Sequence, residues 1–245
     1  MGEAFPVSEK NYHLRRKDDL ELPIYRYMRL SPFLQILFDK KMEVHRRYCF
    51  TDRREQEPFI HCGFSFGHLY PAGEKVPEIL HRRWEEEDKE KARRSALIPV
   101  SCWTNNGEDQ YLRWKAYGTG LLTVRIGTTV GKILQSMEGY LYPIYAGKVD
   151  YKEKMIPSPD YGKLFWKHPT YQCEEEFRFC FFDESEREAM RSAIAVGLSS
   201  TDFIDSVMVH SFVDNGLALD VRDMIRRILP QTPVEKSALI EVEHR

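Results

Sequence analysis

An acidic pair next to an arginine is the feature of this sequence best suited to chemistry. It lies in the run 173–182, which reads CEEEFRFCFF. With the period of two that is typical of a strand, the three alternate phenylalanines share one face, and Glu174, Glu176 and Arg178 share the other. The pattern predicts a strand that packs on its phenylalanine side only.

Two carboxylates at neighbouring positions on one strand face lie about 7 Å apart and repel each other. Such a pair persists where a cation, a hydrogen-bond network or a ligand offsets the repulsion. The simplest alternative is a solvated strand face on which Arg178 neutralises Glu176, because charged strand faces are ordinary. The functional interpretation therefore depends on residues elsewhere in the chain.

Length and composition set the broad class. A chain of 245 residues with 42% hydrophobic and 30% charged residues can bury a full core, and we expect one large domain. The formal net charge of -2 gives no general attraction to nucleic acid or to an anionic membrane.

The cysteines and the apolar runs bear on the compartment. The five cysteines show neither paired zinc-type spacing nor a disulfide framework, so we expect reduced thiols and no metal site. No apolar run approaches the length of a membrane span, and the N-terminus has no signal-peptide pattern. We therefore expect a cytoplasmic protein.

Strands and helices alternate irregularly along the chain, which predicts an α+β fold. We expect a polar leader over residues 1–20 and a single domain over 21–245, with a mixed, largely antiparallel sheet and flanking helices. A long loop is expected at 59–77 and an irregular link at 152–172. The predicted strands are 22–30, 44–50, 97–104, 121–126, 140–151, 173–182 and 203–210, and the predicted helices are 33–42, 77–96, 108–117, 129–137, 184–196 and 219–229.

Three segments resemble a bacterial family, the domain of unknown function 2971 proteins. That family has a Y-x-Y strand, a middle S-x-[ST] segment followed by W-x-x-Y-[AG], and a late E-x-E-x-R strand. The corresponding segments here are Tyr25 to Tyr27, Ser101 to Thr104 with Trp114 to Gly118, and Glu174 to Arg178. The similarity spans about residues 22 to 210. The family usually has an F-N-D-P-x-E turn, and the corresponding residues 50–55 of this chain lack the Asn and the Pro. The chain therefore resembles a divergent member.

The order of these segments is also similar to the arginine–serine–glutamate layout of ADP-ribosyltransferases, which split NAD at the nicotinamide bond. This similarity implies NAD as a substrate and no permanently bound cofactor. Fold analogy alone does not establish an activity. The chemistry nevertheless suits the residues, because breaking this bond builds positive charge on the ribose, which a neighbouring carboxylate stabilises.

The roles implied by this similarity fall on the charged residues first. Glu176 is the candidate for stabilising the ribose cation, and Glu174 would orient or activate the acceptor. Arg26 is the first candidate for binding the pyrophosphate, and Arg178 is the second candidate for this role. The alternative for Arg26 is a structural pair with one of the two glutamates.

Hydroxyl and aromatic residues complete the predicted site. Ser101 and Thr104 would hydrogen-bond the ribose or fix the catalytic glutamate, or would simply cap the next helix. Trp103, Tyr25 or Tyr117 would stack on the nicotinamide ring, although such aromatics are also common in cores. The prediction requires Arg26, Ser101 and Glu176 to line one cleft.

The sequence thus favours an NAD-consuming enzyme, either ADP-ribosyltransferase-like or NAD glycohydrolase-like. Such an enzyme would act on a protein, a nucleic acid or water, as a candidate effector in bacterial defence or a toxin system. An alternative is a nucleic-acid-associated module, because basic and aromatic residues interleave at 151–154 and 163–168. A scaffold without chemistry is the third hypothesis, and the oligomeric state is open.

Overall fold

The structure is a computed structural model that describes residues 11–49, 82, 86, 96–117, 122–153, 164–182, 191–212 and 214–239. It has an α+β fold with a mixed, largely antiparallel sheet, which confirms the predicted fold class. None of the described helices is both long and apolar enough to cross a membrane. The predicted loop at 59–77, nearly all of the predicted helix at 77–96 and the turn at 50–55 lie outside the described residues.

The described elements have the following bounds. The strands are β1 (Tyr12–Leu14), β2 (Pro23–Arg29), β3 (Lys41–Arg46), β4 (Pro99–Thr104), β5 (Leu122–Thr129), β6 (Ile144–Lys148), β7 (Asp150–Tyr151), β8 (Trp166–Lys167), β9 (Glu176–Phe181), β10 (Ala193–Gly197), β11 (Ser206–Ser211) and β12 (Val234–Lys236). The α-helices are α1 (Leu30–Asp39), α2 (Tyr111–Tyr117), α3 (Val130–Ser136) and α4 (Asn215–Ile228). Short 3-10 helices span Lys17–Glu21, Arg47–Cys49 and Pro169–Glu174.

Ten of the described strands form one sheet with two arms. One arm has the order β1-β6-β9-β4-β3-β10, and the other has the order β2-β5-β11-β12. In the described register, the arms pair only at Tyr25 of β2 and Thr104 of β4. We call this place, where β2 and β4 separate, the fork. Since β3 pairs with the first residues of β4, the sheet opens between β2 and β3.

Strand β9 lies between β4 and β6 and is buried along its whole length. Its three phenylalanines belong to the main core, as predicted. The prediction that its other face is open is wrong. Leu164 and Phe165 pack with Cys180 and Val100 in a second, smaller core cluster, so Arg178 on that face is fully buried as well.

The helices follow local signals in most places. Phe33, Ile36 and Leu37 form the buried stripe of α1, as their helical spacing predicts. The sequence offers Thr128 or Thr129 as the cap of the predicted helix at 129–137, and the Thr129 hydroxyl accepts a hydrogen bond from the Lys132 backbone at the start of α3. Helix α1 ends earlier than predicted because Lys40 adopts a left-handed conformation with φ 50°.

Several predicted elements differ from the structure. The predicted strand at 44–50, for example, ends at Arg46 and is followed by a 3-10 helix. The predicted helix at 184–196 is wrong over its last residues, because strand β10 begins at Ala193 and pairs with β3. Alternate burial of Ile194 and Val196 explains the strand, while residues 183–190 lie outside the described part. Within the predicted polar leader, β1 pairs in parallel with β6, and Arg15 contacts Asp150 at 2.9 Å. Residues 12–14 are therefore part of the sheet.

Candidate functional site

A pocket of about 200 Å³ lies at the fork. Drug-sized ligands generally occupy roughly 300 to 1,000 Å³. The pocket therefore suits one ring with an attached sugar better than a complete dinucleotide. Its lining comes from β2, β4, α2, the start of β9 and the segments that precede α2 and β9: Tyr25, Tyr27, Cys102, Trp103, Thr104, Gln110, Leu112, Arg113, Ala116, Tyr117, Cys173, Glu174 and Glu176.

Glu176 is a buried carboxylate held by two cations. Arg178 contacts both of its oxygens, with Nε 2.5 Å from Oε1 and Nη2 3.1 Å from Oε2. Lys167 places its Nζ 2.9 Å from Oε2. A third hydrogen bond from Arg178, to the Leu164 carbonyl at 2.8 Å, fixes the guanidinium behind the pocket. The predicted neutralisation of Glu176 by Arg178 is thus present, but inside the protein.

The pKa of Glu176 reflects this environment. Burial alone would raise it, but the charges of Arg178 and Lys167, with hydrogen bonds from Arg178 and Cys102, outweigh burial and lower the pKa to about 2. The backbone N–H of Glu176 donates to the Tyr151 hydroxyl at 2.8 Å. Burial raises the pKa of Tyr151, so this hydroxyl stays neutral. Because the pKa of Glu176 is about 2, its carboxylate is ionised throughout the physiological range.

Glu174 reaches the same place by a different route from the one predicted. It ends a 3-10 helix, and Glu175 then adopts a left-handed conformation with φ 46° before β9 begins. Its carboxylate lies 2.5 Å from Lys167 Nζ, so one ammonium bridges Glu174 and Glu176. The Glu174 side chain is 25% exposed, against 3% for Glu176. Lys167 is the cation that offsets the repulsion between the two carboxylates.

Arg113 on α2 connects the two strands that border the pocket. Its Nη1 donates to the hydroxyl of Thr104 and to the Asn106 carbonyl, the latter at 3.1 Å. Its Nη2 donates to the Cys173 carbonyl at 2.9 Å and to Glu175 Oε2 at 3.0 Å. The guanidinium thereby joins the end of β4 to the turn that carries Glu174. The Thr104 hydroxyl also accepts from the Asn106 backbone at 3.2 Å, as a turn-capping residue would.

Aromatic rings form the opposite wall of the pocket. Arg125 lies over the Tyr25 ring at 5.2 Å and over the Tyr27 ring at 5.9 Å. The Tyr27 ring packs edge-on against Trp114 at 4.8 Å and is roughly parallel to Tyr117, with centroids 6.2 Å apart. Tyr117 is 44% exposed, at the end of α2.

The structure does not bring Arg26 and Ser101 to this pocket. Alternation along β2 and β4 turns both side chains to the sheet face opposite Glu176. Ser101 is fully buried and accepts a hydrogen bond from Trp103 Nε1 at 2.9 Å. Arg26 donates to the Glu43 carbonyl at 3.2 Å and lies 5.9 Å from the Trp103 ring, and its burial lowers its pKa. The prediction that Arg26, Ser101 and Glu176 line one cleft is therefore wrong, because only Glu176 lines this pocket.

The other predicted site residues lie at or behind the pocket. Glu174, Glu176, Thr104, Trp103, Tyr25 and Tyr117 all line it. The indole of Trp103 also packs against Phe179 in the core, with centroids 6.2 Å apart. Arg178 stands behind Glu176 and does not line the pocket.

Sequence reasoning missed Arg113 and Lys167. Lys167 belongs to the basic and aromatic run at 163–168, which predicts base stacking. In the structure, however, Leu164, Phe165 and Lys167 are buried, so these side chains are not available to stack on bases. Arg113 directly precedes the W-x-x-Y segment, but its partners are distant in the chain, and no local signal indicates them.

Comparisons with protein-family models, with curated proteins and with solved structures found no match. The resemblance to the domain of unknown function 2971 family and the similarity to ADP-ribosyltransferases therefore stay predictions based on short motifs.

Proposed function

We propose that the pocket at the fork binds the nicotinamide and ribose end of NAD and that the protein cleaves the bond between them. One observation carries this proposal: two carboxylates, Glu174 and Glu176, stand side by side in the wall of an aromatic pocket. Aromatic rings suit a flat pyridinium ring, and carboxylates suit a sugar that becomes cationic. The proposed class is an ADP-ribosyltransferase-like or NAD glycohydrolase-like enzyme.

The proposed reaction is a heterolytic cleavage. The bond between ribose C1′ and the pyridinium nitrogen breaks, and its electron pair leaves with nicotinamide, which becomes neutral. The sugar carries the positive charge until the oxygen of water, or a nucleophilic group of another acceptor, bonds to C1′ and loses its proton. A carboxylate beside the sugar stabilises the cationic transition state more than the neutral sugar of the ground state.

We assign the contact with the sugar to Glu174 rather than to Glu176. Arg178 and Lys167 together neutralise Glu176, so its field at the ribose is weak. Glu174 pairs with Lys167, and it is the more exposed of the two carboxylates, at 25% against 3%. Glu174 also lies where it can accept the proton of the attacking group. Glu176 is a positioning residue that orients Lys167.

The direct test is to incubate the purified protein with NAD and to measure the release of free nicotinamide by chromatography. Glu174→Gln should reduce the rate about a hundredfold or more, because the amide carries no charge. Glu21→Gln, at an exposed position in the Lys17–Glu21 helix, is the control for an equal change of net charge and should retain the wild-type rate. Absence of release from the wild-type protein with water, protein and nucleic-acid acceptors would overturn the proposal.

The same preparation separates the alternatives. Retention on single-stranded nucleic acid that weakens with salt, without nicotinamide release, would favour the nucleic-acid module. Neither retention nor release would favour the scaffold. If NAD is consumed, a role as an effector in bacterial defence or a toxin system follows as the natural proposal, because loss of NAD stops growth.

A further inference from the structure

Arg113 has an incompletely used hydrogen-bonding edge. Its side chain is 7% exposed, and its Nη1 and Nη2 groups contact four oxygen atoms, those of Thr104, Asn106, Cys173 and Glu175. Its Nε–H is buried and makes no hydrogen bond within the described part of the chain. A buried donor without a partner costs free energy, so an acceptor at this position would be favourable.

The vacant donor is part of a geometry that recognises anions. The N–H groups of Nε and Nη2 point in the same direction, and this edge of a guanidinium binds a carboxylate or a phosphate through two parallel hydrogen bonds. Nη2 donates to Glu175 Oε2 and to the Cys173 carbonyl. Nε, the other donor of the two-point edge, has no acceptor among the described residues.

Glu175 is a replaceable partner. Its side chain is 45% exposed, and ion pairs that open to solvent contribute little to stability. It also occupies a left-handed backbone conformation, which L-residues other than glycine adopt at a cost. A ligand anion that fills both Nε and Nη2 would compete well with this single contact.

We infer that the Nε and Nη2 edge of Arg113 binds a phosphate group of the substrate and that Glu175 is a built-in competitor for this edge. The identity of the ligand rests on the function proposed above. Among the described residues that line the pocket, Arg113 is the one cationic side chain. Because the pocket holds about a ring and a sugar, the pyrophosphate of a dinucleotide must lie at its rim. Leu112, the neighbour of Arg113 on α2, is 76% exposed and marks this rim.

Arg113 thus takes the role of phosphate-binding guanidinium that the sequence assigned to Arg26. Arg26 lies on the opposite face of the sheet, and Lys167 and Arg178 stand behind the carboxylates. The Arg113 guanidinium contacts the turn that carries Glu174, so a phosphate bound to it would lie near the sugar that Glu174 faces.

Isothermal titration calorimetry with inorganic pyrophosphate, and separately with ADP-ribose, tests the site without any need for catalysis. Glu175→Gln removes the competing charge and should lower both dissociation constants about fivefold. Arg113→Lys keeps the charge but loses the two-point edge, and should raise both about tenfold. Glu21→Gln makes the same charge change at a distance and should alter neither by more than about twofold.

Three results would overturn the inference: equal effects of Glu175→Gln and Glu21→Gln, unchanged binding by Arg113→Lys, or no binding of either probe by the wild-type protein. If Arg113→Lys does not fold, the gain of affinity in Glu175→Gln still decides the question. Anion binding that depends on Arg113 and Glu175, without cleavage of NAD, would overturn the proposed reaction alone. Cleavage of NAD with the wild-type KM in both variants would overturn the phosphate site alone.

Discussion

Lys167 determines the charge balance of the pocket wall. Two carboxylates and two cations, Lys167 and Arg178, lie within direct contact of one another, so their formal charges cancel. Removing the ammonium leaves Glu174 and Glu176 adjacent with Arg178 as the remaining cation. Since Glu176 is buried, its second oxygen would lose a charged partner that water cannot replace.

The first prediction concerns this ammonium. Lys167→Met should lower the free energy of unfolding by about 3 kcal/mol, because it breaks a buried ion pair and leaves a carboxylate uncompensated. Lys132→Met is the matched control, since Lys132 pairs with Asp205 near the surface, and it should cost less than about 1 kcal/mol. Urea denaturation at neutral pH measures both. Equal losses in the two variants would show that the buried network adds no stability.

The second prediction concerns the pH dependence of stability. The folded-state pKa of Glu176, about 2, lies below its ordinary value of 4.5. The ionised carboxylate therefore stabilises the fold fully above about pH 5, and this contribution disappears as the pH falls through 4.5 towards 2. The contribution that is lost should be about 3 kcal/mol.

Denaturation at a series of pH values between 6 and 2, on the order of one unit apart, measures this loss. Glu176→Gln should show a shallower decline in this window, because its amide does not titrate. Glu21→Gln should follow the wild-type curve. A wild-type slope that Glu176→Gln leaves unchanged would assign the acid sensitivity to other groups.

At the scale of the elements, the site depends on how β2 and β4 separate. Tyr25 reaches the pocket at their single register pair, and its ring lies between two glycines. A Cβ at Gly107 would lie 2.6 Å from Cζ of Tyr25, and one at Gly127 would lie 3.0 Å from its Cε1. The Gly107 carbonyl also accepts from Arg125 at 2.7 Å. The absence of side chains at both glycines thus permits the position of the Tyr25 ring.

The third prediction tests this close approach. Gly107→Ala should displace the Tyr25 ring, lower the free energy of unfolding by about 1 to 3 kcal/mol and weaken binding of ADP-ribose. Gly139→Ala is the control, because nothing lies within 4 Å of its added Cβ, and it should leave both quantities nearly unchanged. Denaturation and calorimetry on the same samples provide the two measurements. Full affinity in Gly107→Ala would separate the Tyr25 ring from ligand binding.

At the scale of the whole molecule, local patterns predicted the fold class and most elements. Alternating phenylalanines indicated β9, the spacing of Phe33, Ile36 and Leu37 indicated the face of α1, and the hydroxyl of Thr129 indicated the start of α3. These signals depend on residues close together in the chain. Six of the predicted site residues line the pocket, and strand alternation places three of them, Tyr25, Thr104 and Glu176, on the face that borders it.

What the sequence did not predict depends on contacts between distant residues. Glu175 adopts a left-handed conformation, for which glycine is the usual sequence signal, and Glu174 therefore lies before the strand instead of within it. Strand β10 exists because β3 pairs with it, although its sequence continues a run that is suited to a helix. Arg26 was predicted as a site residue because it lies between Tyr25 and Tyr27, but strand alternation places its side chain on the other face of the sheet.

The central claim is that the pocket at the fork holds the scissile bond of NAD beside Glu174. A crystal structure of Glu174→Gln with NAD tests it most directly, because the variant should retain the uncleaved dinucleotide. The account predicts the nicotinamide ring among Tyr25, Tyr27 and Tyr117, ribose C1′ next to residue 174, and a phosphate on Arg113. NAD bound at another place, or an empty pocket at saturating NAD, would contradict it.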